Sequence, residues 1–530
     1  MKQIGNPREP EVSPGELACL LEQFFVDHPR VALLEDGRVI FEMAAAQYSI
    51  SAEHGRCLLH VWSEERNMVR TVTGLEARKE ALRIRVRRLG TQRPQSIEVV
   101  KDRDLRTPAT RALSRSRYLQ LLERLISRHF HDYKLDSLRS AMDLEHSFGP
   151  AYARGLLVRG QHCWALIGVN AEENQATIDG VLTLGILWLA YCREHTAGKR
   201  VCHGVKILLP AGCGATTRAR MAWLNRDLAQ WELYEVGAGN DGLESIDTRD
   251  QGNLKMRLVH AFNPETALER AQDGVAHVLR LLPPGMRSRV AVTARHANEV
   301  GISLYGLEFA RVRHGFVADS FDRQANVTFG AGASETPLLG ETEAGFAELM
   351  QRLFANRFPE GSARNPLFRL QPESWLQSTL EGDLSRIDDC LGGDVVTYHQ
   401  VPAFAGADRA MLDLLTVTRA GRLAILELKA DEDLHFPLQG LDYWIRVHWL
   451  QQQRAANGVG ELEQNGYFPG TPLLHQSPLM YYIVPALRVH PSMDTVLQHF
   501  SPAIAWTLVA LNEAWRSEPK VIFRKRGGCA

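Results

Sequence analysis

Two carboxylates and one lysine in a single segment of the chain have the types and spacing needed for joint chemistry. The segment is MLDLLTVTRAGRLAILELKA, residues 411–430, and apolar or β-branched residues lie on both sides of its Arg-Ala-Gly. This pattern predicts a β-hairpin whose glycine adopts a positive φ in the loop. With Ala420 at the centre, Asp413 and Glu427 are each seven residues away, so we expect them to face each other with Cβ atoms about 5 Å apart. Lys429 lies two residues beyond Glu427 and points to the same face.

Facing carboxylates of this kind have a direct physical consequence. Between apolar strands they repel each other and lose their solvation, so the arrangement is unfavourable without a cation. A divalent ion that prefers oxygen ligands, such as Mg²⁺ or Mn²⁺, removes this penalty. Such an ion can activate a water molecule and neutralise the charge of a phosphodiester, while Lys429 orients the water or stabilises the developing oxyanion. The sequence therefore predicts a metal site at Asp413 and Glu427.

Helices are predicted on both sides of this hairpin. In the segment 434–453, LHFPLQGLDYWIRVHWLQQQ, spacings of three and four residues place four polar side chains on one helix face. These side chains are Gln439, Asp442, Tyr443 and Arg446. For the first three, a solvated helix face is as good an interpretation as a role in the site. Upstream, a predicted helix over 373–388 offers Glu373 and Glu381 as candidates for an additional acidic ligand.

The whole arrangement resembles the PD-(D/E)XK nuclease superfamily over about residues 371–515. The shared pattern is an Asp, a Glu-x-Lys about fourteen residues later at a strand end, a following helix with Gln and Tyr, and a preceding acidic helix. The proline in the name of the family is absent, because Leu412 stands at its position. Since the signature of the family is loose, this departure carries little weight.

The resemblance implies roles for particular residues. In that family the Asp and the Glu bind the metal ion, the Lys assists hydrolysis, and a Gln on the next helix supports the site. The implied catalytic residues are Asp413, Glu427, Lys429 and Gln439, and the implied metal ligands are Asp413, Glu427 and Glu381. The implied activity is that of a Mg²⁺-dependent (or Mn²⁺-dependent) endonuclease or exonuclease that hydrolyses phosphodiester bonds. DNA is favoured over RNA because it is the usual substrate of the family, and no residue of this chain distinguishes the two.

Two other classes of function fit the same residues. A catalytically inactive scaffold of the same fold would bind nucleic acid without hydrolysing it. An interaction or regulatory protein would use Asp413, Glu427 and Lys429 as a structural ion pair, since Glu-Leu-Lys is a common tripeptide and an Asp before a strand is often a cap. The loss of all three residues from a second, similar part of the chain disfavours both alternatives. If only the fold mattered, both parts could have lost these residues alike.

That similar part lies about 260 residues upstream and indicates an internal duplication. YLQLLERLISR (118–128) resembles WLQSTLEGDLSR (375–386), and residues 154–173 align without gaps to 413–432 at an offset of 259. At an offset of 275, VKILLPA matches YYIVPA, and Trp231 matches Trp506. The extra 16 residues fall in a Gly/Gln/Asn-rich insertion at 451–476 of the second copy. We interpret the pattern as two diverged copies of one unit.

The gapless alignment predicts that the first copy is inactive. It maps Asp413 to Arg154, Glu427 to Gly168 and Lys429 to Asn170, so no carboxylate pair remains to hold a metal ion. A replacement site is an alternative, and its candidate residues are Asp136, Asp143 and Glu145. A chain with one working site would nick, cut single strands, or form a homodimer to cleave duplex DNA.

The length of 530 residues predicts several domains. Residues 1–105 contain strand and hairpin signals such as RVALLEDGRVIFEMA and form a β-rich amino-terminal domain. Residues 106–240 form the degenerate nuclease-like domain, 241–370 a mixed connecting domain, and 371–530 the active nuclease domain. The predicted fold class is α/β, with mixed central sheets flanked by helices in two tandem restriction-endonuclease-like units.

Basic residues are concentrated between Arg78 and Arg128, although the formal net charge of the chain is −1. This asymmetry predicts a phosphate-binding surface, and a solvated strand face with a linker explains it equally well. The candidate nucleic-acid-binding residues are Arg85, Arg87, Arg88, Arg111, Arg115 and Arg117. The predicted partner is nucleic acid, with DNA favoured over RNA.

The remaining composition favours a cytoplasmic protein. The eight cysteines are scattered without a C-x-x-C pair, which argues against a zinc module and against a disulfide framework. The polar, Pro-rich first residues do not have the pattern of a signal peptide. The most apolar segment, Ile178 to Cys192, is about 15 residues long and contains Asp179, which is typical of a buried core helix rather than a membrane span.

Overall fold

The computed structural model contains helices and strands arranged in four β-sheets, and the predicted α/β class is confirmed at this level. It describes residues 13–528 except 29–30, 36–37, 44–45, 54, 63–66, 79–80, 88–94, 101–107, 144, 238–241, 251–255, 317–322, 331–334, 394–395, 406–407 and 454–459. The chain forms two compact units, one of residues 1–114 with 172–174 and one of 115–171 with 175–530. The predicted division into four domains stays a prediction.

The first unit contains helix α1, Pro14–Asp27, and a seven-stranded antiparallel sheet. The Ser13 hydroxyl accepts from the Glu16 amide at 3.2 Å and the Glu16 carboxylate accepts from the Ser13 amide at 2.9 Å, a capping box that starts the helix. The strands are β1 Ala32–Glu35, β2 Arg38–Glu42, β3 Gln47–Glu53, β4 Arg56–Trp62, β5 Asn67–Arg78, β6 Ala81–Arg87 and β7 Gln95–Val100. Their order is β2-β1-β7-β6-β5-β4-β3. Leu21 and Phe25 of α1 join the core of this sheet.

A six-stranded mixed sheet follows in the chain. Its elements are α2 Pro108–His129, β8 Lys134–Arg139, β9 Tyr152–Arg159, β10 His162–Val169, α3 Gln175–Asp179, α4 Val181–Thr196, β11 Val201–Pro210, α5 Ala215–Met221, β12 Gln230–Val236 and β13 Leu243–Ile246. The strand order is β13-β12-β11-β10-β9-β8. Strands β10, β11 and β12 are parallel to one another, and the other neighbours are antiparallel.

The apolar segment singled out in the sequence forms α3 and α4. By length and composition, Gln175–Thr196 is the one stretch in the described part of the chain that could cross a membrane. However, 61% of its apolar window is buried inside the protein, and Val181, Leu182 and Ile186 are completely buried. In this structure the segment is therefore a core helix that packs on β10 and β11.

The connecting region contains a five-stranded antiparallel sheet of strands β15 to β19. The elements of the region are β14 Met256–Leu258, α6 Pro264–Leu281, β15 Val290–His296, β16 Glu299–Leu304, β17 Leu307–Phe316, β18 Arg323–Phe329, β19 Thr336–Pro337, α7 Glu343–Asn356 and α8 Pro366–Arg369. Arg357, after α7, is completely buried, and its guanidinium lies 4.5 Å from the centre of the Trp375 ring. It donates to the main-chain oxygens of Leu304, Tyr305, Leu367 and Leu370. This one side chain ties the connecting sheet to the helix that contains Trp375.

The last sheet has seven strands. Its elements are α9 Pro372–Leu380, β20 Tyr398–Ala405, β21 Asp408–Val417, β22 Leu423–Leu428, α10 Phe436–Gln452, α11 Glu461–Gln464, β23 Leu479–Pro485, α12 Met493–Gln498, β24 Trp506–Leu511 and β25 Val521–Gly527. The strand order is β14-β20-β21-β22-β23-β24-β25, with β22, β23 and β24 parallel. Strand β14, from the connecting region, therefore completes this sheet.

The six-stranded sheet β8–β13 and the strands β20–β25 of the seven-stranded sheet have the same order and the same pattern of pairing. Each has two antiparallel strands before a third that is parallel to the next two, and each ends on an antiparallel edge strand. In each, the third strand leads into a long helix, α4 or α10, that packs on the sheet. Buried residues of both sheets share one continuous core. The two segments therefore have the same local topology and are packed together.

The strand pairing corrects the gapless alignment of the two hairpins. Two residues separate β9 from β10, and Arg154 pairs with Ile167. Five residues separate β21 from β22, and their register places Asp413 opposite Glu427. Between the corresponding strand pairs, Val158 with Cys163 and Val417 with Leu423, the loops contain four and five residues, so the alignment of the second strands shifts by one. Arg154 still corresponds to Asp413, but Glu427 corresponds to Ile167.

The predicted counterparts Gly168 and Asn170 are therefore wrong, and Ile167 and Val169 take their places. Ile167 and Val169 are buried in the core beneath α4. A Cβ at Gly168 would instead lie 2.8 Å from the Tyr118 hydroxyl of α2, on the opposite face of the sheet. The first hairpin holds apolar side chains where the second holds Glu and Lys.

Candidate active site

The centre of the candidate site is the carboxylate of Glu427 on β22. The residue is 2% exposed, and its Oε1 accepts a hydrogen bond from the Gln439 side chain at 2.8 Å. Its Oε2 is buried and has no hydrogen-bond partner among the described residues. Burial raises the pKa of Glu427 well above its ordinary value, and the charge of Asp413 raises it further. Such a carboxylate is costly to ionise without a positive charge beside it.

Asp413 lies next to Glu427 on β21. Its Oδ2 accepts from the Leu428 main-chain amide at 3.0 Å, and its Oδ1 accepts from the Gln400 side chain at 3.4 Å. Burial raises the pKa of Asp413, while the Leu428 amide, Lys429 and Gln400 oppose that rise. The structure therefore brings together the two carboxylates that the hairpin pattern predicted to face each other.

Glu381 lies farther from this pair than the resemblance implied. Helix α9 ends at Leu380, and Glu381 caps it, whereas the sequence predicted a helix through residue 388. The Glu381 carboxylate accepts from Gln377 at 2.7 Å and pairs with His399 at 3.0 Å. Gln377 in turn accepts from Gln400 at 3.2 Å. Glu381 is thus linked to Asp413 through two glutamine side chains.

Glu373 is the acidic residue of α9 that lies at the site. Its Oε1 is 3.5 Å from Lys429 Nζ, and its side chain is half exposed. Burial and the charge of Asp413 raise the pKa of Glu373, while Lys429 opposes that rise. Of the two glutamates that the sequence offered, the geometry favours Glu373 as a third carboxylate near the pair.

Lys429 supplies the positive charge of the site. Its Nζ lies 3.5 Å from Glu373 and 3.6 Å from Asp433 Oδ2. Burial lowers the pKa of Lys429, but the surrounding carboxylates, Asp413 and Glu427 among them, outweigh burial and raise it. The ammonium therefore stays charged near neutral pH and faces the carboxylates from the end of β22.

Helix α10 holds the polar side chains that touch Glu427. Gln439 donates to Glu427 and also to the Tyr443 hydroxyl at 3.2 Å. Burial raises the pKa of Tyr443, and the charge of Glu427 raises it further. The helix approaches β23 closely, because a Cβ at Gly440 would lie 2.4 Å from the Tyr482 ring. Gln439 therefore contacts Glu427 directly and Tyr443 contacts Gln439, so neither side chain belongs to a solvated helix face.

Asp442, on the same helix, points elsewhere. Its two oxygens accept from Arg220 of α5 at 2.8 and 2.7 Å. Arg220 also donates to the main-chain oxygen of Asp179 at 2.6 Å. Asp442 therefore connects α10 to the preceding sheet and leaves the carboxylates of the site to the residues around Glu427.

Sequence reasoning missed Gln400, Gln377 and Asp433. Gln400 occupies the position of β20 opposite Asp413 and adopts a positive φ of 49°, a conformation that non-glycine residues rarely take. Its pairing with Asp413 could have been found by continuing the hairpin one strand upstream. Asp433 lies four residues after Lys429, and the spacing alone did not indicate that it turns back to the ammonium.

Two carboxylates, rather than three, are available for a metal ion. Among the residues that the structure describes, no group of three or more His, Cys, Asp or Glu side chains is arranged to hold one. Mg²⁺ is commonly bound by one or two carboxylates and keeps several water ligands. The facing Asp413 and the Glu427 oxygen that has no partner among the described residues fit that requirement.

Of the candidate nucleic-acid-binding residues, Arg85 and Arg87 are exposed two residues apart on β6. Arg111, Arg115 and Arg117 lie on α2, and Arg88 lies outside the described residues. The strand and the last two arginines of the helix belong to different compact units. A common phosphate-binding surface therefore stays a prediction.

The raised pKa of Glu427 leads to a test of the metal-free protein. The folded protein retains the Glu427 proton above pH about 4.5, the ordinary value, where the unfolded chain has lost it. The contribution of Glu427 to stability should therefore be greatest below that pH and be lost as the pH rises through the folded-state pKa. Urea unfolding in EDTA at several pH values should show this loss in the wild type and a smaller loss in Glu427→Gln. Parallel stability curves for the two proteins would contradict the assignment.

Comparison with known proteins adds no identification. No protein-family model matches the chain, and no curated protein matches it. The functional argument therefore rests on the residues and their geometry.

Proposed function

We propose that this protein is a metal-dependent nuclease that hydrolyses phosphodiester bonds of nucleic acid at Asp413, Glu427 and Lys429. One observation carries the proposal: a buried Glu427 oxygen, which has no hydrogen-bond partner in the described part of the chain, faces a second carboxylate and has a charged lysine beside it. A divalent cation bound between the two carboxylates would neutralise their negative charge. DNA is the expected substrate, in line with the resemblance to PD-(D/E)XK nucleases.

The proposed roles follow from the contacts of each side chain. Asp413 and Glu427 would hold Mg²⁺ or Mn²⁺, which would supply Lewis-acid stabilisation of a phosphodiester and an activated water. The Leu428 amide fixes the orientation of Asp413, and Gln439 fixes that of Glu427. Lys429 presents a compact positive charge where negative charge develops on the phosphate oxygens.

The same proposal extends to the fold. The strand order around β20–β24, with α9 before it and α10 after β22, supports a restriction-endonuclease-like unit. The sheet around β8–β12 has the same order but carries Arg154, Ile167 and Val169 at the three functional positions. We infer one working site per chain and a degenerate copy packed beside it.

Incubation of the purified full chain with nucleic acid tests the activity. Supercoiled plasmid, single-stranded DNA and single-stranded RNA should each be incubated with Mg²⁺, Mn²⁺ or EDTA. We expect cleavage of DNA with either metal ion and none in EDTA, and nicked plasmid should precede linear plasmid because the chain has one site. Cleavage that survives EDTA would overturn the proposal. Tight, salt-sensitive binding with no cleavage of any substrate would replace it with the nucleic-acid-binding scaffold.

A further inference from the structure

The degenerate copy holds two arginines where the other copy has its acidic site. Arg154 on β9 pairs with Arg139 on β8, in the same way that Asp413 lies opposite Gln400. The row Gln400–Asp413–Glu427 across one sheet thus corresponds to Arg139–Arg154–Ile167 across the other. A position with a net negative charge has become one with a net positive charge.

Arg154 is buried to an unusual degree for a charged residue. It is 1% exposed, and its guanidinium lies 4.3 Å from the ring centre of Phe148 and 5.7 Å from that of Trp188. Its Nη2 donates to the Ala141 main-chain oxygen. Its Nε and Nη1 are buried and have no hydrogen-bond partner among the described residues. Two unsatisfied donors on a buried cation are costly unless an acceptor reaches them.

Arg139 adds a second positive charge at the edge of this position. It is exposed, and its guanidinium also lies 5.7 Å from the Trp188 ring centre. Burial, with a smaller contribution from the charge of Arg139, lowers the pKa of Arg154 to about 10. Two like charges opposite each other on neighbouring strands destabilise the sheet. An anion between them would remove that repulsion.

The carboxylate of Asp143, whose charge acts on Arg154, makes its hydrogen bonds elsewhere. Asp143 Oδ1 accepts from the His146 main-chain amide at 3.1 Å, and both of its oxygens lie within 3.2 Å of His146 Nδ1. Its charge contributes to the pKa of Arg154, but its hydrogen bonds are made to His146. Asp143 therefore reduces the positive potential without satisfying the Arg154 donors.

We propose that Arg139 and Arg154 form an anion site in the degenerate copy that binds a phosphate group. A phosphate oxygen would accept from Arg154 Nε or Nη1, and Arg139 would contact a second oxygen from the solvent side. Planar guanidinium groups suit this bidentate recognition of oxyanions. The phosphate comes either from a free phosphorylated small molecule or from a nucleic-acid strand. This site is separate from Asp413 and Glu427 and does not depend on cleavage.

Calorimetric titration of the full chain in EDTA tests the site, because EDTA removes the metal-dependent contribution of the other copy. The probes are inorganic phosphate, adenosine monophosphate and a single-stranded DNA oligonucleotide at low salt. Binding of the phosphate and the mononucleotide as strong as that of the oligonucleotide assigns the site to a free phosphorylated molecule. Binding at least about tenfold tighter for the oligonucleotide assigns it to a strand.

Three variants separate this site from general electrostatic attraction. Arg139→Gln, at an exposed position, should weaken binding of the preferred probe about tenfold or more, the worth of a charge-assisted hydrogen bond. Arg154→Met should weaken it further, and Asp143→Asn should strengthen it by removing a competing negative charge. Arg128→Gln, on α2, is the control for loss of one surface charge. If Arg139→Gln and Asp143→Asn both bind like Arg128→Gln, the proposal is overturned, whether or not Arg154→Met folds.

Discussion

Glu427→Gln should reduce metal-dependent cleavage of DNA about 100- to 1,000-fold and, in the same protein, increase the stability of the metal-free form. The substitution keeps the size of the side chain and removes its charge. Loss of one of two metal ligands and of the charge near the reacting phosphate accounts for the fall in rate. The gain in stability follows because the buried, repelled carboxylate disappears from the folded state.

The opposite signs of the two effects make this experiment informative. A variant that lost activity by misfolding would lose stability as well, so the two measurements together separate chemistry from structure. Glu432→Gln is the matched control, because that carboxylate is exposed and lies five residues away on the same segment. It should leave both quantities unchanged. Retained cleavage in Glu427→Gln, measured as plasmid nicking with Mg²⁺, would remove Glu427 from the active site.

The hairpin was the part of the site that sequence could predict. Apolar runs on both sides of a glycine predict the hairpin and its loop, and Gly421 does adopt a positive φ of 85°. Because strand residues alternate between faces, the facing of Asp413 and Glu427 and the side of Lys429 followed from counting. Helix α10 was predicted over 434–453 and spans Phe436–Gln452, which placed Gln439 near the strand end.

The choice of the third acidic residue could not be made in this way. A helix through residue 388 would keep Glu373 and Glu381 on related turns, but α9 ends at Leu380. Gly382 and the Asp383 side chain, which accepts from the Ser385 amide at 3.1 Å, begin a new 3-10 turn instead. A polar side chain such as that of Asp383 can bind backbone amides in place of the helix, and the spacing of apolar residues does not indicate this. Glu381 therefore turns to His399, and Glu373 remains near Lys429.

The gapless alignment assigned the wrong residues on the second strand of the first hairpin, also because of local geometry. A gapless alignment treats the two hairpin loops as equal, whereas between corresponding strand pairs they contain four and five residues. A shift of one residue moves a side chain to the other face of a sheet, so Gly168 was assigned to a position that Ile167 occupies. The replacement of Asp413 by Arg154 survives the correction, because it lies on the strand before the loop.

The sequence did not predict the contacts between the six-stranded and the seven-stranded sheet regions. Arg220 and Asp442 are 222 residues apart in the chain, and no local pattern connects them. The structure makes them a bidentate pair whose side chains are 11% and 22% exposed. Through it, helix α5 of the region around the six-stranded sheet holds α10, which contains Gln439 and Tyr443.

Breaking this pair should therefore affect both stability and activity. Arg220→Ala should lower the free energy of unfolding by about 3 kcal/mol, since it leaves the Asp442 carboxylate partly buried and unpaired. Arg220→Ala with Asp442→Ala should recover part of that loss, and urea unfolding of the two single variants and the double variant measures the coupling. If the loss of stability in the double variant equals the sum of the losses in the two single variants, the pair is not energetically linked.

The effect on activity should have the signature of positioning rather than of lost chemistry. Arg220 holds α10 through its hydrogen bonds to Asp442, so its removal should displace Gln439 and loosen the orientation of Glu427. We expect Arg220→Ala to need more Mg²⁺ for half-maximal cleavage, about tenfold, as for residues that orient metal ligands, and to approach the wild-type rate when Mg²⁺ is saturating. Arg218→Ala, at a half-buried position on the same helix, is the control and should behave like the wild type. A variant whose rate falls at every Mg²⁺ concentration, with an unchanged half-saturation point, would show that the degenerate copy does not act through α10.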